Sequence, residues 1–323
     1  MAGAAQTSVR NSPVRLLALL ATGLLLFATG AAAQTLYKYR GPDGEWIYTD
    51  RQPDKQQSVE TRKLAAGSRS SDKFEVSYAI NGQTFEVTAS NPFHVPVEVA
   101  LSIERIEGIG APAGDDLRWV VAPLAEERLL ELDILQTSSA PVIQYRFTYL
   151  AGDPESRHAP QMPYRVPYAV GLDHVVSQAY PDVTTHRTPD SYHAVDIAMP
   201  TGTDIVAARG GIVFDVASNN FEGGTDPEAY GNKANVVRIL HDDGTYAIYA
   251  HLNWNSIRVR PGDVVERGQY IADSGNTGFS SGPHLHFAVV RNAGMTIESL
   301  PVTFTGSNAA AVTPSRGMTL TAY

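Results

Sequence analysis

The chain has 323 residues, of which 43% are hydrophobic and 18% charged, and its formal net charge is −9. This acidic balance argues against nucleic-acid binding as the main task, because a phosphate-binding surface needs an excess of cationic side chains. The absence of cysteine excludes disulfides, thiolate metal ligands and cysteine nucleophiles, so any metal must be held by His, Asp or Glu. The length allows two domains, or one domain with substantial additions.

The N-terminus has the pattern of a signal peptide, over residues 1–33. Arg10 and Arg15 give it a basic start, residues 17–28 form an apolar run, and the alanines at 31–33 suit a cleavage site. The apolar run is shorter than the roughly 20 residues that a membrane span needs. A retained N-terminal anchor is the alternative, whereas a lipoprotein anchor is excluded because no cysteine follows. The pattern predicts an exported protein with no stable membrane span after cleavage.

Two alternating aromatic runs within residues 34–55 flank the sequence Gly-Pro-Asp-Gly, which predicts a β-hairpin. This unit resembles the short aromatic hairpin module that often follows the signal peptide of bacterial envelope proteins. Simple packing is its plainest role, and a contact with the cell wall or a partner is the alternative. The polar residues 56–73 predict a linker.

Residues 74–160 contain several short runs in which apolar and polar side chains alternate. These runs span residues 74–78, 84–88, 97–103 and 144–149. Short strands at this spacing, separated by Asn, Gly and Pro, predict a small β-sandwich. The run from 124 to 136 fits either a strand pair or a helical turn. No set of side chains here suggests chemistry, and His94 and His158 are interpreted as loop or surface residues.

The composition changes at about residue 164. Seven of the nine histidines lie between His174 and His286, and glycine becomes frequent. Strand-like runs continue and no long amphipathic helix interrupts them, which predicts a second β-rich domain over residues 164–305. Residues 306–323 are predicted to be a poorly ordered tail. The expected fold class is therefore all-β.

Three separated motifs in this domain supply the candidate site residues. They are THRTPDSYHAVDIAMPTGT at 185–203, YAHL at 249–252 and GPHLHF at 282–287. His284 and His286 lie two residues apart at the start of an apolar strand, and side chains at i and i+2 of a strand share a face. Both imidazoles are therefore expected to project into one space.

Taken together, the three motifs resemble those of the lysostaphin-type (LytM-like) zinc endopeptidases of bacterial cell walls, peptidase family M23. The resemblance covers about residues 164–305. It implies a lysostaphin-type fold and a Zn²⁺ metalloendopeptidase that hydrolyses the peptide cross-links of peptidoglycan in the periplasm or cell envelope of a bacterium. It also implies that Asp196 and His286 are metal ligands, and that His251 and His284 are catalytic. Two histidines and one aspartate would leave a coordination position for water, as catalytic zinc sites require.

Two residues compete for the position of first histidine ligand. The common family pattern places it four residues before the aspartate, where this chain has Tyr192. His193 lies three residues before Asp196 and would point to the opposite face of a continuous strand. His186 lies ten residues before Asp196, and family members with a Ser-His or Thr-His step before such a loop place the ligand there. The prediction is His186, with His193 as the alternative.

The remaining histidines of this domain are interpreted as structural. If Asp243-Gly244 forms a two-residue turn, residue 236 pairs with 251, and His241 then faces away from His251 together with Tyr246 and Ile248. His174 lies on a strand or loop before the first motif.

Glycines and serines around the third motif are interpreted as turn residues. Gly268, Gly275 and Gly278 are expected to shape the loop beside the site. A phosphate-binding loop is excluded because no Gly-Lys-Ser/Thr step follows. Ser274 and Ser281 are interpreted as turn residues and not as hydrolase nucleophiles.

A rival function is that of a non-catalytic regulator. Several relatives of these peptidases have lost metal ligands and instead bind and activate a cell-wall amidase, whereas this chain keeps Asp196 and the histidines of the second and third motifs. A pure wall-binding module would leave those residues without a purpose. The expected partners are stem and cross-link peptides of peptidoglycan, together with an envelope regulator protein, and no nucleic acid.

Overall fold

The computed structural model of the protein describes residues 73–114, 116–135 and 140–323, together with the backbone of four short strands nearer the N-terminus. Those strands are β1 (Ser8–Arg10), β2 (Thr35–Arg40), β3 (Trp46–Thr49) and β4 (Glu60–Lys63). β2 pairs antiparallel with β3, so that Arg40 lies opposite Trp46, and with β4 on its other edge. The predicted signal peptide and linker otherwise lie outside the described residues, apart from Lys73.

Six strands follow in the first half of the described chain. They are β5 (Glu75–Asn81), β6 (Thr84–Ser90), β7 (Val97–Glu107), β8 (Arg118–Val121), β9 (Glu126–Asp133) and β10 (Val142–Ala151). They form two sheets, β5-β6-β9 and β1-β10-β7-β8. Apolar side chains of both sheets share one core, which includes Phe85, Val99 and Phe147. The predicted β-sandwich is confirmed, and β9 shows that the ambiguous run from 124 to 136 contains a single strand over its described residues, 124–135.

The second half of the chain contains fifteen strands and two short helical turns. They are β11 (Asp173–Gln178), β12 (Val195–Ala198), β13 (Asp204–Val206), β14 (Gly211–Ala217), β15 (Gly223–Gly224), α1 (Pro227–Tyr230), β16 (Val236–Leu240), β17 (Tyr246–Ala250), β18 (Val264–Val265), β19 (Tyr270–Asp273), β20 (Gly278–Phe279), β21 (His284–Asn292), β22 (Ile297–Leu300), β23 (Phe304–Thr305), a 3₁₀ turn (Ser307–Ala309), β24 (Ala311–Val312) and β25 (Thr319–Thr321). The all-β prediction is therefore confirmed. In the part of the chain that the structure describes, no helix is long and apolar enough to cross a membrane.

A nine-stranded sheet forms the centre of this half. Its order is β18-β14-β16-β17-β21-β12-β11-β25, and β22 also pairs with β21. On one face of β21, Leu285 and Phe287 are fully buried in the main core. On the other face, Val290 packs in a second apolar cluster that includes Val95 of the sandwich half. β21 is thus covered on both faces, which explains why its sequence is an almost continuous apolar run.

The predicted disorder of residues 306–323 is wrong. β25 pairs with β11 at the edge of the nine-stranded sheet. Leu320 is buried in the main core, and its carbonyl oxygen accepts a hydrogen bond from the Tyr168 hydroxyl at 2.7 Å. The short strand was missed because Leu320 is the one large apolar side chain of this turn-rich segment that is fully enclosed in the main core, with Val312 and Met318 only partly buried against it.

The hairpin between β16 and β17 differs by one residue from the predicted register. Val236 lies opposite Ala250 and not opposite residue 251. Asp243 Oδ1 accepts hydrogen bonds from both the amide and the hydroxyl of Thr245, which favours a loop wider than a two-residue turn. By strand alternation His241 therefore follows the face of Ile239, not that of Tyr246 as predicted, and it lies at the far end of the strand pair from His251.

Candidate metal centre

Strand order brings the three motifs together. β21 lies between β12 and β17 in the central sheet, with Asp196 of β12 and Ala250 of β17 both opposite His286. Ala198 lies opposite His284, so both histidines of β21 share the face of Asp196, as strand alternation predicts. His251 directly follows β17 and has a φ of 62°, a left-handed conformation that turns the chain out of the strand.

Three side chains converge closely enough to hold a metal ion. His186, Asp196 and His286 each offer a ligand atom, and these atoms lie within 4.8 Å of one another. His186 Nε2 is 3.1 Å from Asp196 Oδ2, and His286 Nδ1 is 2.9 Å from Asp196 Oδ1. His186 and Asp196 are both 4% exposed, so this polar cluster is shielded from solvent. Two imidazole nitrogens and a carboxylate oxygen fit the ligand preferences of Zn²⁺.

The protonation states of these groups suit metal binding. Burial acts to raise the pKa of Asp196, but the hydrogen bonds and charges of His186 and His286 outweigh it and hold that pKa well below its usual range. Burial lowers the pKa of His286 despite the neighbouring carboxylate. An ionised aspartate and a neutral imidazole are the forms that coordinate a metal.

Backbone carbonyls orient three of the four histidine rings. His186 Nδ1 lies 3.2 Å from the Ala194 carbonyl oxygen, His251 Nδ1 lies 2.7 Å from that of Thr277, and His284 Nδ1 lies 2.8 Å from that of Gly282. A carbonyl oxygen only accepts, so in each ring Nδ1 carries a proton and donates it to the backbone. His286 is the exception, because its Nδ1 faces Asp196.

His251 and His284 lie beside the ligand cluster. Their ring centroids are 4.6 Å apart, and the His251 ring is 5.9 Å from that of His286. His284 Nε2 is 3.8 Å from Asp196 Oδ2. Burial, followed by the neighbouring histidines His284 and His286, lowers the pKa of His251 to about 3, so this imidazole is neutral near pH 7.

The competing candidate, His193, lies outside the cluster that the described residues form. Its amide donates to Ser299 Oγ at 3.0 Å, and its ring lies 4.9 Å from the ring of Tyr180. A turn between residues 188 and 194 reverses the chain, with Tyr192 donating its amide to the Thr188 carbonyl. This turn returns the chain so that the Ala194 carbonyl meets His186.

Two of the three predicted loop glycines lie beside the site. A side chain at Gly275 would place its Cβ 2.6 Å from the backbone of Asn253, and one at Gly278 would lie 2.5 Å from the Ala234 amide. Gly278 also has a φ of 78°, which favours glycine. The prediction for Gly268 is wrong, because it occupies a separate turn in which its amide bonds the carbonyl of Ala207.

One polar residue in contact with the centre lies outside the three sequence motifs. Gln178, at the end of β11, donates from Nε2 to Asp196 Oδ2 at 2.6 Å and to Thr185 Oγ1 at 2.9 Å. Its Oε1 accepts from the amides of Thr184 and Thr185 at 2.6 and 2.9 Å. The only sequence signal is a glutamine that ends an alternating apolar strand, which does not reveal that this residue pairs with Asp196.

Similarity to known proteins covers much of this half of the chain. Residues 190–298 match the model described as Peptidase family M23, and residues 23–71 match a domain of unknown function, DUF4124. The M23 match contains Asp196, His251, His284 and His286, whereas His186 lies four residues before it.

Individual relatives match over shorter lengths. Lysostaphin of Staphylococcus staphylolyticus is 33% identical over 103 residues, which are 32% of this chain and 19% of lysostaphin. Peptidoglycan DD-endopeptidase ShyA of Vibrio cholerae is 34% identical over 99 residues, 31% of this chain and 20% of ShyA. The chain thus spans about a fifth of the length of these curated relatives. Among solved structures, the catalytic domain of the prophage-encoded M23 protein EnpA from Enterococcus faecalis is 29% identical, with a TM-score of 0.31, and the match covers 42% of this chain and 92% of that one.

Proposed function

We propose that this chain, which carries a peptidase family M23 domain over residues 190–298, is an exported zinc metalloendopeptidase. Its proposed reaction is hydrolysis of the peptide cross-links of bacterial peptidoglycan. The observation that carries the proposal is the convergence of ligand atoms from His186, Asp196 and His286 within 4.8 Å, beside two further histidines. The names of the relatives lysostaphin and peptidoglycan DD-endopeptidase support the substrate class. We place the protein in the periplasm or cell envelope on the basis of its predicted signal peptide and of this substrate.

We assign three side chains to the metal. His186 through Nε2, His286 through Nδ1 and Asp196 through a carboxylate oxygen would hold Zn²⁺, with His193 as the alternative to His186. When bound, Zn²⁺ supplies Lewis acidity, which lowers the pKa of a coordinated water toward ~7 and polarises a carbonyl oxygen. The low exposure of His186 and Asp196 keeps bulk water away from two of these ligands.

We assign proton transfer to the two remaining histidines. His251 is held neutral by burial, and the Thr277 carbonyl fixes its proton on Nδ1, so Nε2 is free to accept a proton from an attacking water. His284 Nε2 lies 3.8 Å from Asp196 Oδ2. When this nitrogen carries a proton, it can donate a hydrogen bond to the oxyanion that develops on the scissile carbonyl.

We propose the domain boundaries on sequence grounds: hairpin 34–55, linker 56–73, sandwich 74–160 and peptidase 164–305. The sandwich contributes Val95 to the same face of the central sheet that carries the metal centre, further along β21. This placement supports a role for the sandwich in orienting the domain, with the hairpin left for contact with the wall or with an envelope regulator.

A non-catalytic regulator that activates a cell-wall amidase is the second candidate. Such proteins lack a complete ligand set, whereas the set in this chain is complete in composition and compact in space. The intact cluster therefore favours the enzyme.

One experiment separates the two functions. The mature chain (residues 34–323) is purified, its zinc content is measured, and cross-linked muropeptides are quantified after incubation with peptidoglycan, with and without a chelator. We expect about one zinc per chain and a loss of cross-linked species that the chelator prevents and added Zn²⁺ restores. A protein that leaves peptidoglycan intact but stimulates an amidase would contradict the proposal.

The ligand assignment has its own matched pair of variants. His186→Ala should abolish tight zinc binding, because two ligands remain, whereas His193→Ala should bind zinc as the parent does. The reverse result would transfer the ligand role to His193 and leave the metallopeptidase proposal standing.

A further inference from the structure

His186 is the one proposed ligand that no strand holds in place. Asp196 belongs to β12 and His286 to β21, and these strands are paired directly. His186 instead lies in the connection between β11, which ends at Gln178, and β12, which begins at Val195. Fixing a loop residue costs conformational entropy, which local hydrogen bonds must offset. The contacts that hold this part of the loop are therefore part of the metal centre.

The side chain of Gln178 uses its full hydrogen-bonding capacity at this point. An amide side chain offers two N–H donors and an oxygen with two lone pairs. Oε1 receives the amides of Thr184 and Thr185, and Nε2 donates to Thr185 Oγ1 and to Asp196 Oδ2. Backbone amides can only donate and an ionised carboxylate can only accept, so the amide fits in one orientation only.

We propose that Gln178 is the positioning residue of the metal centre: its amide joins the Asp196 carboxylate to the Thr184–Thr185 turn and thereby places His186 at ligand distance. This inference rests on the ligand set given under the proposed function. Gln178 lies opposite Asp196 across a register shift in the β11–β12 ladder, which brings its side chain to the carboxylate. His186 follows Thr185 directly, so the anchored turn sets where the ring begins.

Gln178 acts on two ligands at once. It orients the Asp196 carboxylate by a direct hydrogen bond, and it orients His186 through two backbone amides that precede the ring. Loss of an outer-sphere partner of a metal ligand typically weakens metal affinity ~10- to 100-fold. We expect loss of the Gln178 side chain to weaken zinc affinity within that range, because a loop no longer held by Gln178 must be ordered each time zinc binds.

The test uses Gln178→Met in the mature chain, which keeps the length of the side chain but removes its hydrogen bonds. The exposed Gln161→Met is the matched control. Zinc affinity is measured by competition with a chromophoric chelator, and amide hydrogen exchange over residues 182–188 is measured on metal-free protein. We expect Gln178→Met to bind zinc ~10- to 100-fold more weakly and to exchange faster in this segment, with the control unchanged in both measurements.

A second variant keeps the test valid if Gln178→Met folds poorly. Gln178→Asn retains the amide on a shorter arm that cannot reach the carboxylate and the turn together, so its zinc affinity should fall between those of the parent and Gln178→Met. At saturating zinc the activity of both variants should return toward that of the parent, since His251 and His284 are untouched. A general folding defect would not be corrected by zinc in this way.

The outcomes separate this inference from the function on which it rests. Parent-like zinc affinity or unchanged exchange in Gln178→Met would overturn the role of Gln178. If that result came with loss of zinc in His186→Ala, the ligand set would stand and only the positioning role would fail. If the parent bound no zinc, or if His186→Ala bound it normally, the ligand assignment itself would fail.

Discussion

The two ends of β21 carry polar groups on the same face of the central sheet, and the hydrogen bonds of these groups differ between the ends. His284 and His286 lie at one end and Asn292 at the other, all at even positions of one strand. At ~3.3 Å per residue, His286 and Asn292 are about 20 Å apart along the strand. One end converges on a carboxylate, whereas the other joins the peptidase half to the sandwich.

The Asn292 end forms a closed network. Asn292 is fully buried, and its Nδ2 donates to Glu98 Oε2 at 2.7 Å and to the Gly152 carbonyl at 3.0 Å. Its Oδ1 accepts the amide of Gly294, while Glu98 Oε2 also accepts the amide of Met295. Each polar group of Asn292 thus has a partner within the chain, as buried polar groups require. No polar atom of the Asn292 side chain is therefore left unpaired to bind a ligand.

The histidine end is open by comparison. Three of its rings place Nδ1 on backbone carbonyls, and the Asp196 carboxylate serves several nitrogen groups at once. The ligand atoms of His186, Asp196 and His286 lie within 4.8 Å of one another around one space. The difference distinguishes a polar cluster built for stability from one built to receive a cation.

The largest expected effect comes from removing a ligand. Asp196→Ala and His286→Ala should each reduce bound zinc from about one per chain to near zero, because a two-ligand site binds zinc weakly. Metal analysis after gel filtration measures this directly, and peptidoglycan hydrolysis should be lost with the metal. Full zinc content in both variants would remove the basis for calling this end of β21 a metal centre.

Next in size is the effect of the two histidines beside the ligands. His251→Ala and His284→Ala should retain zinc but lower turnover ~10²- to 10⁴-fold, the usual contribution of a general acid or base. Steady-state hydrolysis of a cross-linked muropeptide, together with zinc content, checks both halves of the statement. Loss of metal in either variant, or near-normal turnover, would show that the division between ligands and catalytic residues is wrong.

The opposite end of the strand should respond in stability and not in metal binding. Asn292→Ala leaves the Gly152 carbonyl and the Gly294 amide without their partner and removes one donor from Glu98, which should cost about 2–3 kcal/mol in the free energy of unfolding. Urea denaturation measures that loss, while zinc stoichiometry should stay at the parental value.

An exposed pair provides the matched control for this variant. Asn81 donates from Nδ2 to Glu86 Oε2 at 2.8 Å on the surface of the sandwich. Asn81→Ala should change stability by less than about 0.5 kcal/mol, since surface substitutions usually do. Equal losses of unfolding free energy in the two variants would mean that burial of the Asn292 network does not add to the stability of the fold.

Much of this arrangement follows from local sequence patterns. The alternation of side chains along a strand places His284 and His286 on one face, and the Pro-containing loop favours His186 over His193 for the space near Asp196. What the sequence does not reveal depends on pairing between distant strands. The contact between Gln178 and Asp196 needs the register of β11 on β12, and the edge position of β25 needs the completed core around Leu320.

The misjudged register at His241 has the same origin. Residues 243–244 have the sequence of a two-residue turn, but the side chain of Asp243 bonds Thr245 and also the cation Arg209, at 2.7 Å from Nη1. A long-range ion pair thus takes part in setting the local turn. Turn propensity alone cannot show such a contact.

The smallest expected effect separates a structural histidine from those of the metal centre. His241 is 3% exposed, its Nδ1 lies 2.9 Å from the Gly210 carbonyl, and its Nε2 has no hydrogen-bond partner among the described residues. Burial, which outweighs the hydrogen bond to Gly210, lowers the pKa of His241 from 6.5 to about 4. The unfolded chain therefore takes up a proton below about pH 6.5 that the folded chain refuses, so the stability that His241 contributes at neutral pH is lost as the pH falls from about 6.5 to about 4.

The slope should approach about 1.4 kcal/mol per pH unit within that window, so the free energy of unfolding should fall by about 1.3 kcal/mol between pH 7.5 and pH 5.5. His241→Asn keeps an N–H for the Gly210 carbonyl but removes the titrating ring, so its stability should fall less steeply with acid than that of the parent. Urea denaturation of metal-free protein at pH 7.5 and pH 5.5 measures the difference, and zinc affinity at pH 7.5 should be unchanged. If both proteins lose stability equally, the proton uptake that destabilises the fold in acid belongs to other groups. A change in zinc affinity would instead mean that His241 communicates with the metal centre across the hairpin.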